Sequence, residues 1–376
     1  MTGKGEAVRK IAVVLFNLGG PDRPETVKPF LFNLFNDRAM IGVPGPLRWL
    51  LAKLISHRRA PVAREIYARI GGRSPLLEQT MAQKEALAAA LSDLGDERGG
   101  ERGEVRLFVS MRYWHPMSDE VAQAVAAYGP DEVVLLPLYP QFSRTTTGSS
   151  LGDWRRAARA AGLRAPTRAI CCYPTAPGYI RALTKLVRDA VDEAGGTAGS
   201  RVLFSAHGLP KRIIAAGDPY QAQVERTAAA VVDELGMADL DWVVCYQSRV
   251  GPLEWIGPGT DEEIVRAGAD KLGVVVVPIA FVSEHSETLV ELDIDCRRLA
   301  DEHGVPAYIR VPAVGVDPVF IEALADLVRH VRCQAGPVCS DAGGRFCAAE
   351  LTGCALGPAG TEQGVGGAEK ERSWSG

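Results

Sequence analysis

The chain has 376 residues, of which 47% are hydrophobic and 23% charged, the balance of a soluble globular protein of roughly two to three domains. That balance argues against a disordered, a fibrous or an integral membrane chain. Lysine plus arginine is 42 against 46 aspartates and glutamates, so the net charge of −4 lacks the basic footprint that nucleic-acid binding needs.

Residues 1–10 are polar, and the apolar run Ile11–Phe16 is too short for a secretory core or a membrane span, which takes about 20 residues. The expectation is a cytoplasmic protein. Ile11–Phe16 reads instead as the first of eight strands. The others are Val105–Ser110, Glu132–Leu136, Arg168–Cys172, Arg201–Ser205, Trp242–Tyr246, Val274–Pro278 and Tyr308–Val311. Most are continuous apolar runs, as expected of strands buried on both faces of a parallel sheet. Between them, Met81–Leu94, Tyr179–Ala194 and Gln221–Leu235 carry apolar residues at helical spacing. Strand and helix in alternation predict an α/β fold. Asp93–Glu104 reads as a charged surface loop, and Ala355–Gly376 as a loose tail with little to bury.

The two halves resemble each other. Val14-Leu15-Phe16-Asn17-Leu18-Gly19-Gly20-Pro21 parallels Val202-Leu203-Phe204-Ser205-Ala206-His207-Gly208-Leu209-Pro210, and Val133–Pro137 parallels Val274–Pro278. This predicts two similar α/β halves of about four strands, meeting near residues 150–175. Ligands in such folds sit beyond the carboxyl ends of the strands, and a cleft between halves is the default site.

Four strand-following loops carry the candidate chemistry: Asn17–Pro21, Met111–Pro116, Ser205–Pro210 and Ser283–Glu291. A helix starting near Ser283 would put Glu284, Glu287, Glu291 and Asp295 on one face. Such a row suits divalent cations or a proton path, and its first member also suits a helix dipole. His207 ends a buried strand and serves equally as a base, a ligand or a structural histidine. His115, in a Trp-His-Pro turn, reads as a hydrogen-bonding residue. There is no phosphate loop, and Pro21 spoils Gly19-Gly20 as a dinucleotide fingerprint. Phe30–Phe35 and Leu47–Ile55 are apolar enough for core helices or for a lip touching a membrane. Of the eight cysteines, Cys333, Cys339, Cys347 and Cys354 crowd together, with five, seven and six residues between them. Without an export signal they read as thiols or metal ligands.

Taken in order, these motifs resemble those of the ferrochelatases, from about Ile11 to about Arg332. The markers are Phe16-Asn17-Leu18-Gly19-Gly20-Pro21, Ile70-Gly71-Gly72-Arg73-Ser74-Pro75, Met111-Arg112-Tyr113-Trp114-His115-Pro116, Tyr139-Pro140-Gln141-Phe142-Ser143, Ser205-Ala206-His207-Gly208-Leu209-Pro210, Gly217-Asp218-Pro219-Tyr220, Gln247-Ser248-Arg249-Val250-Gly251-Pro252 and the Glu287 loop. The resemblance implies an α/β fold of two Rossmann-like domains, at residues 1–165 and 166–325. Each is a parallel sheet of about four strands flanked by helices. A cysteine-rich extension at 326–356 would pack back on the body, before a disordered tail at 357–376.

The implied activity is insertion of Fe2+ into protoporphyrin IX to give protoheme. A coproporphyrin-using enzyme, a porphyrin binder without turnover and a cobalt or nickel chelatase are the alternatives. His207 and Glu287 would be the catalytic pair and would hold the iron. Glu291, Asp295 and His285 would form the proton or metal path. Leu18, Arg59, Tyr67, Ser74, Arg112, Tyr113 and Trp255 would contact the porphyrin. The partners implied are porphyrin and ferrous iron, with loose membrane contact at the lip. The family also suggests a [2Fe–2S] cluster. Its animal-type internal ligand falls at Arg144 here and is absent, so Cys333, Cys339, Cys347 and Cys354 are the expected ligands. A zinc site or unrelated thiols are the other readings of the same four.

Overall fold

A computed structural model of the chain describes residues 9–92, 103–249, 251 and 253–357. Most of the expected loop at 93–104, nearly all of the expected tail, and Val250 and Pro252 lie outside the described residues. The strands are β1 (Arg9–Asn17), β2 (Gly103–Met111), β3 (Glu132–Pro137), β4 (Thr167–Cys172), β5 (Ser200–His207), β6 (Asp241–Gln247), β7 (Gly273–Pro278), β8 (Tyr308–Arg310) and β9 (Val338–Ser340). All eight predicted strands are present, and β9 is an addition. The helices of the first half are α1 (Val27–Phe35), α2 (Gly45–Ala68), α3 (Leu76–Ala90), α4 (Ser118–Tyr128) and α5 (Thr147–Ala160). Those that follow are α6 (Pro177–Glu193), α7 (Lys211–Ala215), α8 (Tyr220–Leu235), α9 (Thr260–Ala269), α10 (Arg297–Glu302) and α11 (Pro318–Cys333). A π-helix spans Glu287–Cys296.

Two parallel sheets result, ordered β2-β1-β3-β4-β9 and β6-β5-β7-β8 among the described residues. The order β2-β1-β3-β4 repeats as β6-β5-β7-β8, so the repeat read from the sequence is a repeat of topology. The division expected after residue 165 needs correction. It would sever β4 from its own sheet, and the change of sheet falls between Cys172 and Ser200. The sequence gives no warning of this, because β4 looks like any other buried strand. The last helix crosses back: α11 packs on α3, α6 and β4.

Alternation along the strands explains why the runs are apolar throughout. Ile11, Val13 and Leu15 face a core shared with Val202, Phe204, Val275 and Val277, filled by α6, α8 and α11. Ala12, Val14 and Phe16 face α4 and α5. Leu203, Val274 and Val276 face α9, α10 and the π-helix. Successive side chains leave opposite faces of a strand, and here both faces are covered. One continuous core therefore joins the two sheets and holds their carboxyl ends toward a common cleft.

Candidate active site

In each sheet the chain reverses its direction of progress beside the central strand, at β1 and at β5. Such switch points leave a crevice at the carboxyl ends. Leu18 follows β1, and His207 ends β5. Both line a cleft of about 1180 Å³, together with Gly208, Leu209, Glu287 and Glu291. The Asn17–Pro21 turn is close-packed: Gly19 has φ +82°, and a Cβ on Gly20 would lie 2.5 Å from the Ser74 side chain. Only glycine meets both demands.

His207 Nδ1 lies 2.6 Å from the carbonyl oxygen of Gly208. A carbonyl only accepts, so Nδ1 carries the proton of the neutral ring and Nε2 presents a lone pair. Nε2 lies 3.8 Å from Glu287 Oε1. Glu287 Oε2 is buried without a hydrogen-bond partner, a costly state that a ligand in the cleft would relieve. His285 Nε2 stands 3.9 Å from it. Burial lowers the pKa of His285 against the upward pull of Glu287, with smaller downward pushes from His207 and Arg310. His285 is therefore a neutral neighbour at pH 7.

Glu287 opens the π-helix, a rare form often found at functional sites. Gln247, at the end of β6, donates to the carbonyl of Glu287 (3.1 Å) and to Glu291 Oε2 (3.3 Å). Glu291 also accepts from the amide of Ser248 at 2.7 Å and its hydroxyl at 2.5 Å. Asp295 pairs with Arg69 at 2.9 Å, an exposed bridge from the π-helix to the end of α2. Glu287, Glu291 and Asp295 all line the cleft. Glu284 does not join them. It accepts from Arg310 at 2.5 Å and from the amide of Ala313 at 2.9 Å. The row starts at Glu287, because the helix does.

Leu18, Arg59, Tyr67, Ser74 and Trp255 also line the cleft, and Tyr113 lines an adjoining recess of about 180 Å³. Burial raises the Tyr67 pKa to about 12, and its hydroxyl meets Ser286. Arg112 is not brought to the wall. Its guanidinium pairs with Asp37 at 2.9 Å and bonds Ser149 at 2.7 Å. Burial alone would raise the Asp37 pKa. Arg112, Ser149, the backbone amide of Ala39 and Tyr113 together hold it below the usual carboxylate value. His115 is exposed and pairs with Glu120.

Sequence reasoning missed Gln247 and Ser248 as holders of Glu291, although both follow a strand end. It also missed Asp37, for which the sequence offers no signal, and Arg310, the one charge in the run Tyr308–Val311.

The four C-terminal cysteines are not gathered into one site. Cys333 is exposed at the end of α11. Cys339 faces the core shared by the two sheets. Cys347 and Cys354 hydrogen-bond to each other. Among the described residues, no group of three or more histidines, cysteines or carboxylates is poised around a metal-sized point. The expected set does not fit a [2Fe–2S] cluster.

Two α/β halves of equal strand order, with an imidazole and a carboxylate meeting in the cleft between them, define a fold of the chelatase type. The solved structure of SirB from Bacillus subtilis with Fe3+ shares it at a TM-score of 0.51 and 13% identity, covering 87% of this chain and 96% of that one. In sequence, the family model described as Ferrochelatase matches residues 10–332. The ferrochelatase of Caulobacter vibrioides is 53% identical over 92% of this chain and 97% of its own length. That of Phenylobacterium zucineum is 53% identical over 92% of this chain and 100% of its own. The chain belongs to the ferrochelatase family.

Proposed function

We infer that the chain inserts ferrous iron into a porphyrin, for heme synthesis. The observation that carries this is the bare His207 Nε2 facing the unsatisfied Glu287 carboxylate at 3.8 Å inside an apolar cleft. A free-base porphyrin carries two pyrrole protons, and both must leave as Fe2+ enters. His207 Nε2 takes the two pyrrole protons in turn as a general base, releasing the first to solvent through the cleft before it accepts the second. Glu287 supplies an anionic oxygen for the incoming Fe2+, which a hard carboxylate suits. Neutral His285 packs beside Glu287 and fixes its orientation. Glu291 and Asp295 continue the acidic row toward the mouth of the cleft, where protons leave or iron arrives. A flat ring hides its nitrogen lone pairs. Leu18, Tyr113 and Trp255 present the surfaces against which it bends, so binding energy is spent on reaching the transition state.

Protoporphyrin IX, with two carboxylates, suits the walls better than coproporphyrin, with four. The α1 and α2 side is Phe30, Leu31, Leu34, Ile55, Val62 and Ile66, with Arg59 as its cation. Each extra carboxylate left without a partner there costs about 1–3 kcal/mol. Anaerobic metallation of both porphyrins tests this. The expected kcat/KM favours protoporphyrin by about tenfold or more, from one such penalty. Equal or reversed preference contradicts the assignment. The same reading makes α2 the membrane-facing lip, because Leu47, Trp49, Leu50 and Leu54 are about half exposed along it.

A further inference from the structure

The buried stripe of α3 is Leu76, Thr80, Gln83 and Leu87, residues that share one face of a helix. A helix turned to the core ordinarily makes that stripe apolar. Here its two middle members are polar, and both are fully buried. Burying a polar group is costly unless it is hydrogen-bonded, and both bond to segments that end at the cleft.

Gln83 reaches into the second half. Its amide nitrogen donates to the carbonyl of Val282 at 2.8 Å and to that of Gly315 at 3.0 Å. Its amide oxygen accepts from the Ser283 hydroxyl at 3.0 Å. Both N–H groups and the oxygen are used, and the two carbonyls, which only accept, fix which way the amide points. Val282 and Ser283 follow β7 and stand just before His285 and Glu287, and Gly315 follows β8. Thr80, one turn earlier, faces the first half. Its hydroxyl donates to the Leu76 carbonyl at 2.7 Å and accepts from Asn17 Nδ2 at 3.0 Å. Asn17 Oδ1 in turn accepts from the amide of Leu18 at 2.8 Å. One turn of α3 therefore spans from the Leu18 turn to the loop before Glu287, and both ends of that span line the recess of about 180 Å³.

We propose that Gln83 is a positioning residue for metal insertion, setting how far the His285–Glu287 loop stands from the Leu18 turn. The role rests on iron insertion being the reaction of this cleft. Arg310 ties the π-helix to β8 within the second half, whereas Gln83 ties the loop before it to the first. The side chain is specified closely. Glutamate has no donors for the two carbonyls, and asparagine is one methylene too short to reach them.

The test is Gln83→Met, which keeps the length of the side chain and removes its amide. In the full chain, kcat for anaerobic metallation of protoporphyrin IX is measured beside porphyrin binding by fluorescence and amide hydrogen exchange. The variant should lose about ten- to hundredfold in kcat, the scale of a misplaced reacting group. Porphyrin affinity should stay within about threefold, because the Leu18 turn keeps its own tie to Thr80. The amides of Thr288, Leu289 and Gly315, which bond the carbonyls of His285 and Val282, should exchange about tenfold faster or more, as when one buried hydrogen bond is lost. A lower melting temperature with kcat unchanged makes Gln83 a residue of the core alone and overturns the proposal. So does unchanged exchange at those three amides. A wild type that metallates no porphyrin removes iron insertion from the cleft, and the exchange rates then decide by themselves whether Gln83 places the loop. Should Gln83→Met not fold, Ser283→Ala, which removes one hydroxyl, decides instead: kcat should fall about threefold or more, and a wild-type kcat contradicts the role.

Discussion

His285 is buried beside Glu287 and kept neutral by desolvation. Its folded-state pKa is lowered, so the unfolded chain binds the proton more readily. As pH falls below about 6.5, the unfolded value, stability drops by up to about 1.4 kcal/mol per pH unit until the folded pKa is passed. Above about pH 6.5 this contribution is fully present. Thermal unfolding of His285→Gln should show a shallower acid limb than wild type. Superimposable limbs would remove His285 from the acid response. At this scale the sequence was informative wherever a residue ends a strand. His207 was legible because it ends a buried strand followed by a glycine turn, which delivers its side chain to the rim, whereas Leu18 was named only through the family resemblance. Arg112 stood in the same kind of loop but turns to Asp37 instead of the cleft. That choice depends on a partner 75 residues away, and no local pattern encodes it.

The π-helix and the strand beside it form the element that carries the proposed iron-binding carboxylate. Arg310, on β8, bonds Glu284 at 2.5 Å and Asp293 at 2.6 and 2.8 Å. These two carboxylates flank Glu287 in the chain, so one guanidinium pins both ends of its segment. Arg310→Lys keeps the charge but loses the planar fork. The expected result is a kcat lower by about ten- to hundredfold, the scale of a misplaced reacting group. Porphyrin affinity should stay within about twofold, since substrate meets no altered wall. An unchanged kcat would show that Glu287 is held by Gln247 alone. The carboxylate row was anticipated, but its phase was not. An α-helix begun at Ser283 would include Glu284, and the actual helix begins at Glu287 with a different pitch. Amphipathic spacing carries no signal for a π-helix, and the hydrogen bonds that tie this one to β8, Tyr308 to the Leu292 carbonyl and Arg310 to Asp293, come from residues distant in the local pattern.

At the scale of the whole molecule, the opposite end of the first sheet is tied by charge. Glu132, 2% exposed, pairs with Arg9, Arg168 and Arg332 from β1, β4 and α11. This knot lies at the amino ends of the strands, away from the cleft, and fixes α11 across the first sheet. The duplicated strand order was visible in the paired motifs of the two halves. The crossing of α11 and the addition of β9 were not, because a three-residue strand has no pattern of its own. What the molecule achieves as a unit is to bring His207 from the β5 end and Glu287 from the loop after β7 to 3.8 Å within one apolar cleft.

The most direct measurement of that pairing is anaerobic metallation of protoporphyrin IX by ferrous iron, wild type beside His207→Ala, with porphyrin binding followed by fluorescence. Loss of the base should lower kcat by about 10²- to 10⁴-fold while porphyrin still binds. A His207→Ala chain that metallates at the wild-type rate would contradict a catalytic centre at His207 and Glu287.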